Sequence, residues 1–341
     1  MTPYAEAVAA ALARAMRADD RIIALGPRPA GEEPGSAGAA PPATTAPDTS
    51  GRSPSGPLAA FGARRVVTTP AGAAAACGVA VGAARAGLRP VLELPDGHDL
   101  GAALDLLTAA GAAALRSGGQ VSVPMVVRAR WARPAAGLGG PGADVAAVRA
   151  AGWLARVPGV RVLLPASPHD GAALLPSALA EPGPVVIVES PALADAAEPL
   201  PDEVPPEPLG TARVRRPGVD VTVVALGRLV PEALAAAERL ADQGVDVEVI
   251  DPRSLVPLPT ATLVDSAART GRVVVAADDP GPGGIGADIA VRIQALAFYD
   301  LDGPVVQVAA PSGPLPVVAT GGETGLPMCA ELEAAVRRAL R

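Results

Sequence analysis

Residues 160–190 read VRVLLPASPHDGAALLPSALAEPGPVVIVES. The first six residues and the last seven are strand-length runs dominated by Val, Leu and Ile, and between them lies HDGAALLPSALA (169–180), rich in the small and unbranched residues of a helix. A strand that is apolar throughout, rather than alternating, has both faces buried. Strand, helix and strand in that order therefore define a crossover unit in a parallel sheet covered on both sides.

The same alternation extends upstream. RRVVTT (64–69), RPVLEL (89–94) and VPMVVRA (123–129) read as strands. AGAAAACGVAVGAARAG (71–87) is a small-residue helix closed by Gly87 in the C′ position, a second helix is expected over 100–115, and a third near 145–156. At the N-terminus Thr2 reads as a helix cap with Pro3 in the first turn, followed by an Ala-rich helix to about Arg17 and a strand over 21–25. From Gly26 to Pro57 the chain is Pro, Gly, Ser, Thr and Ala with almost no large apolar residue, which is the composition of a flexible loop. The Pro- and acid-rich stretch 191–208 reads as a linker. Beyond it, VDVTVVALG (219–227), VDVEVI (245–250, strictly alternating), RVVVAA (272–277) and PVVQVAA (304–310) are strands, and a last helix runs from about Met328. Val230, Leu234, Ala237 and Ala241 mark one face of the helix after the first of these. The expectation is two α/β domains with parallel sheets, 1–190 and 209–341, joined by 191–208.

Composition narrows the function classes. The chain has 341 residues, half of them hydrophobic, and 28 Lys+Arg against 35 Asp+Glu give a net charge of −7. Scattered arginines in an acidic chain argue against a nucleic-acid surface, and no apolar run reaches the ~18 residues of a membrane span. The first twenty residues carry acids at amphipathic spacing rather than a signal-peptide pattern, which points to a cytoplasmic protein. Cys77, Cys329, His98 and His169 are the whole complement of cysteine and histidine and have no metal-ligand spacing. Lys and Asn are absent, and aromatics make up 2% of the chain, so Val, Leu and Ala must fill the cores.

Reactive constellations are few. GPGGIGADIA (281–290) is either a phosphate-cradling turn at a helix N-terminus or a plain loop, and AGLGGPGAD (136–144) is no more specific. His169 is either a general acid/base or a polar residue opening a helix beside Asp170. Asp96 and His98, in PDGHDL (95–100), follow a strand, where an open α/β sheet places its ligand. Trp131 and Trp153 read as packing residues.

Taken in order, FGARRVVTTP (61–70), GVAVGAARAGLRPVLEL (78–94), SGGQVSVPMVVRA (117–129), VPGVRVLLPASPHDGAALL (157–175), LGTARVRRPGVDVTVVALG (209–227), LAAAERLADQGVDVEVIDPRSLVPL (234–258) and GRVVVAADDPGPGGIGADIAVRI (271–293) resemble the beta subunit of the thiamine-diphosphate-dependent first component of 2-oxo acid dehydrogenase complexes, of pyruvate, branched-chain or acetoin type. The resemblance implies a transketolase-like pyrimidine-binding domain followed by a transketolase C-terminal domain. It implies an alpha-subunit partner in an α₂β₂ assembly, with thiamine diphosphate and magnesium held between the two kinds of chain, and a lipoyl acyltransferase component that takes up the acyl group. It also implies a potassium ion on backbone carbonyls of the turn SALAEPGPVV (177–186), with Ala178, Leu179, Glu181 and Gly183 as contributors.

The chain departs from the family pattern at several positions. Ala73 stands where the family has the Glu that hydrogen-bonds the aminopyrimidine, and a methyl group cannot relay a proton. Asp96 replaces an aromatic that stacks on the pyrimidine, Ala146 and Ala277 stand at histidine positions, and Pro27 follows Gly26 where a Glu is expected. The acid next to Ala277 is kept as Asp278. Three readings follow: a working beta subunit, a degenerate subunit acting as structural or regulatory partner, and a reshaped crevice around Asp96 and His98 that binds another small molecule. Loss of this many groups favours loss of intrinsic catalysis. A rescuing carboxylate would have to come from Asp96, Glu32 or Glu33.

Overall fold

The computed structural model describes residues 1–27, 60–69, 72–94, 97, 99–130, 149–310 and 328–341. These fall into two compact units, Met1–Ala132 with Leu154–Leu209, and Arg133–Trp153 with Gly210–Arg341.

The first unit runs β1 (Thr2–Pro3), α1 (Tyr4–Ala18), β2 (Ile22–Pro27), β3 (Val66–Thr69), α2 (Ala73–Arg85), β4 (Arg89–Leu94), α3 (Asp99–Arg116), β5 (Val126–Arg130), β6 (Arg161–Leu163), α4 (Pro168–Ala180), β7 (Val185–Glu189), a 3₁₀ turn (Pro191–Asp195) and β8 (Ala197–Glu198). Strands β6, β7, β5, β4, β2 and β3 lie side by side in that order, and every one of these pairings is parallel. The 160–190 stretch forms the expected crossover, with α4 between the paired strands β6 and β7. Ser167 caps α4, its hydroxyl accepting from the Asp170 N–H at 3.3 Å, and Pro168 fills the first helical position, where its missing N–H costs nothing.

One face of the sheet is covered by α1 and α4. Tyr4, Val8, Leu12 and Met16, each four residues from the next, bury one stripe of α1 against Ala172, Leu175 and Leu179 of α4 and against Ile22, Val91 and Val126 of the strands. Gly171 permits the approach: a Cβ there would stand 2.7 Å from both Tyr4 Cε2 and Val8 Cγ2. On α2, Gly87 (φ +95°) takes the left-handed C′ position read from the sequence.

Several expectations are corrected. Thr2 does not cap α1; Pro3 is the cap residue, and Thr2 and Pro3 pair antiparallel with Glu198 and Ala197. Gly26 and Pro27 belong to β2 rather than to a loop, paired with Thr68 and Thr69; a strand end tolerates Pro where the next ladder bond is not required. The remainder of the expected 26–57 loop lies outside the described residues. The stretch 191–208 is not a bare tether, because Leu193 and Val204 are buried against the α1 core.

The second unit comprises β9 (Arg213–Arg216), β10 (Val221–Ala225), α5 (Leu229–Ala241), β11 (Val247–Asp251), β12 (Ser254–Val256), α6 (Thr260–Thr270), β13 (Val273–Pro280), α7 (Ile285–Leu296), β14 (Val306–Ala310) and α8 (Cys329–Ala339). Its sheet has the order β14-β13-β10-β11-β9, parallel except for the antiparallel edge pair β9 and β11. The β9 strand, RVRR, has too little apolar character to announce itself in the sequence. On α5 the buried stripe is rotated from the expected one: Leu229, Val230, Ala233, Ala236, Ala237 and Leu240 are buried, Leu234 is half-buried and Ala241 is exposed. Alternation on β11 does not mark a solvent face, since Glu248 and Asp251 are as buried as their valine neighbours. Trp153 is 60% exposed, so it is not the packing residue expected.

Candidate functional site

In an open parallel sheet the ligand crevice lies at the carboxyl ends of the strands where the winding order reverses. In the first unit β3 sits on one side of β2 and β4 on the other, so the reversal falls between β2 and β4. Gly26 and Pro27 end β2, Leu94 ends β4, and Thr69, ending β3, donates its hydroxyl to Gly26 O at 3.2 Å. Ala73 opens α2 just after β3, 5% exposed, with Gly72 as a cap residue that offers no side chain and no acid in the first turn. The position therefore lies past the carboxyl end of β3, the strand paired with β2 at the border of the crevice, and it carries a buried methyl group. Asp96, His98, Trp131, Ala146, Glu32 and Glu33 lie outside the described residues.

Carboxylates do stand on the strands beside that edge, and an arginine holds them. Arg128 on β5 donates Nε and Nη2 to the two oxygens of Glu189 on β7 at 2.8 and 3.0 Å, and Nη1 to Glu93 on β4 at 2.6 Å. Arg130 Nε lies 4.0 Å from the other Glu93 oxygen. Burial works against the charge on Arg128, but Glu189 and Glu93 outweigh it and raise its pKa. The buried Tyr4 hydroxyl is pushed well above the ordinary tyrosine range, first by burial and then by Glu189. These charges compensate one another, so Glu93 and Glu189 are not free to serve a ligand. Sequence reasoning missed the group. Its signal is that each member lies two residues beyond a core residue of the same strand face (Val91, Val126, Ile187), where apolar side chains give way to charge.

The turn after α4 is also tied down. Ala178 and Leu179 are in its last turn, Glu181 is the cap residue and Gly183 precedes β7. Arg89 donates Nη1 to the Leu179 carbonyl and, at 3.4 Å, to that of Glu181, while Arg161 Nε meets the Glu181 carboxylate at 2.6 Å. His169 behaves as a helix-start residue: its N–H donates to Glu198 Oε1 at 2.5 Å and its Nε2 lies 3.7 Å from Glu207 Oε1.

In the second unit Ala277 is buried on β13, where a Cβ on Gly286 of α7 would come within 2.9 Å of its own. Asp278, fully buried, is paired with Arg228 at 2.7 Å. The glycine-rich turn 281–284 leads into α7, but the first helical N–H groups are directed at the Asp279 carboxylate. Among the described residues no group of three or more His, Cys, Asp or Glu is arranged to hold a metal, and no helix is long and apolar enough to cross a membrane.

A unit with a parallel sheet followed by a smaller sheet with an antiparallel edge strand is the order in which two transketolase domain families match the chain. The transketolase pyrimidine-binding domain family matches residues 1–195, and the transketolase C-terminal domain family matches 210–321. A split-gene transketolase, described as an inactive beta4 tetramer, superposes with a TM-score of 0.68 over 99% of this chain and 98% of its own at 22% identity, which shows the fold. The pyruvate dehydrogenase E1 component subunit beta of Rhizobium meliloti is 36% identical over 83% of this chain and 61% of its own length. The rice mitochondrial subunit beta-2 is 37% identical over 83% and 76%. The 2-oxoisovalerate dehydrogenase subunit beta of Bacillus subtilis is 32% identical over 91% and 90%. The chain belongs to the family of beta subunits of the first component of 2-oxo acid dehydrogenases.

Proposed function

We propose that this chain is a beta-type subunit whose own thiamine chemistry has been lost, and that it acts as the structural partner of an alpha-type subunit in a 2-oxo acid dehydrogenase first component, associated with a lipoyl acyltransferase. Ala73 carries the reading. Thiamine diphosphate, on which the family depends, needs a carboxylate beside its aminopyrimidine to move a proton, and residue 73 offers a buried methyl group instead. Glu93 and Glu189, the acids on the neighbouring strands, are locked to Arg128 and cannot substitute. The residues present therefore do not fit the cofactor's chemistry, and no catalytic step is assigned to this chain. What the chain retains is the scaffold, together with Asp278 near the carboxyl end of β13 and its arginine partner. Magnesium, as the counterion of the diphosphate, belongs with the alpha chain in this reading.

The test is calorimetric titration of thiamine diphosphate and magnesium into the chain co-expressed with its alpha partner, with 2-oxo acid decarboxylation followed in parallel. Decarboxylation is expected to be negligible. Robust turnover by the unmodified complex would sink the reading in favour of a working subunit.

Potassium belongs to the same proposal in narrowed form. The Leu179 and Glu181 carbonyls already accept from Arg89, which leaves Ala178 and Gly183 as carbonyl ligands that would complement the negative end of α4. The chain is expected to melt a few degrees higher in potassium chloride than in tetramethylammonium chloride at equal ionic strength. Equal melting temperatures would remove the ion.

A further inference from the structure

The second sheet carries a cleft at the end opposite its carboxyl-end crevice. Val219 and Asp220 precede β10 and Asp246 precedes the parallel strand β11, so the residues here stand at the amino ends of the strands. The cleft is open to solvent and holds about 670 Å³, a volume in the range of small-molecule sites. Arg216, Pro217, Val219, Asp246, Glu248 and Arg269 line it. Its floor is a close approach of two backbones: a Cβ on Gly218 would stand 2.3 Å from Glu248 N, so the turn joining β9 to β10 lies directly on the start of β11.

Both arginines are aimed by their acidic partners. Arg216 donates Nη1 to Asp246 Oδ1 at 2.9 Å and to the carbonyls of Pro217 and Val247. Arg269 donates Nη2 to Glu248 Oε2 at 2.5 Å, and Glu248, 3% exposed, also accepts from the Ser266 hydroxyl. Each guanidinium is thus fixed through one nitrogen. Nε and Nη2 of Arg216, and Nε and Nη1 of Arg269, have no partner among the described residues. Asp246, with its side chain 47% exposed, likewise keeps Oδ2 without a partner among them.

These leftover groups describe a ligand. A fixed guanidinium with spare N–H groups takes a carboxylate in parallel hydrogen bonds, and a spare carboxylate oxygen takes an ammonium. Pro217 and Val219, both exposed, add an apolar wall. Two positive and two negative side chains line the cleft, so a ligand with one charge of each sign leaves it balanced. We propose that the cleft binds a free α-amino acid with an apolar side chain, its carboxylate on Arg216 and Arg269, its ammonium on Asp246 and its side chain against Pro217 and Val219. Glu248 is a positioning residue that holds Arg269. The proposal concerns the second unit only and does not depend on the fate of the thiamine site.

The test is calorimetric titration of the full chain with L-leucine, with 4-methylpentanoate, which lacks the ammonium, and with 3-methylbutylamine, which lacks the carboxylate. L-leucine should bind with a Kd at or below ~1 mM, and each analogue at least ~10-fold more weakly. Arg269→Lys keeps a positive charge beside Glu248 but removes the fork, and Asp246→Asn removes the charge that meets the ammonium. Each should weaken L-leucine at least ~10-fold with an unchanged circular dichroism spectrum. The analogue series uses the unmodified protein and decides the matter even where a variant fails to fold. No saturable heat from L-leucine up to ~10 mM would overturn the proposal. So would 4-methylpentanoate binding as tightly as L-leucine, or L-leucine binding unchanged in both folded variants.

Discussion

Residue 73 shows how a single side chain decides what a fold can do. It opens α2 just after β3, whose last residue Thr69 is hydrogen-bonded to Gly26 of β2, so its surroundings are ordered while the position itself offers only a methyl group. Restoring the carboxylate by Ala73→Glu should raise thiamine diphosphate affinity or thiazolium proton exchange in the complex with the alpha subunit, towards the ~10²–10⁴-fold that an acid/base group is worth. No change in either measurement would mean that the crevice around it has closed. The Ala73 position was legible in the sequence because it sits inside a run of co-linear segments. The Arg128 cluster was not, because its partners lie 35 and 61 residues away and only the sheet register brings them together. Removing Arg128 leaves the buried Glu189 and the partly buried Glu93 without their counter-charge, so Arg128→Met is expected to cost ~3–5 kcal/mol of stability in denaturant unfolding. A loss below ~1 kcal/mol would mean that Arg130 or solvent takes over the compensation.

Among the elements, α1 and α4 carry most of the structural argument for the first unit. Alanine-rich helices bury little area per residue, so the few large side chains in the stripe, Leu12, Met16 and Leu175, contribute disproportionately. Leu12→Ala should destabilise the unit by ~2–5 kcal/mol, measured as a shift of the urea midpoint at unchanged slope; a shift near zero would show that the interface repacks around the loss. Apolar strands and small-residue helices were readable because their patterns are local. Misreadings arose where burial came from elsewhere in the chain. On β11, Val-Glu-Val-Ile-Asp alternates as if one face met water, yet Arg269 takes Glu248 and Arg215 takes Asp251, so both faces are interior. On α5 the true stripe is set by alanines, whose small size gives periodicity little contrast.

For the molecule as a whole, the distribution of apolar surface bears on assembly. The chain spends few aromatics, yet Trp153 is 60% exposed and Phe298 and Tyr299, stacked edge to face at 5.3 Å, are 60% and 97% exposed. Val79 on α2, Leu115 on α3 and Val291 on α7 are exposed as well. Single exposed apolar residues are ordinary, but aromatics left at the surface of a chain whose cores are built from Ala, Val and Leu are the kind of anchor that interfaces bury. The beta-subunit relatives are components of larger assemblies by name. The chain is therefore expected to be a dimer on its own or a heterotetramer with an alpha subunit, as closed symmetric assemblies usually are. Tyr299→Ser should weaken that association while leaving the fold intact, and light scattering with circular dichroism would separate the two effects. A stable monomer at micromolar concentration, with and without the alpha subunit, would count against both the assembly and the partner role proposed for this chain.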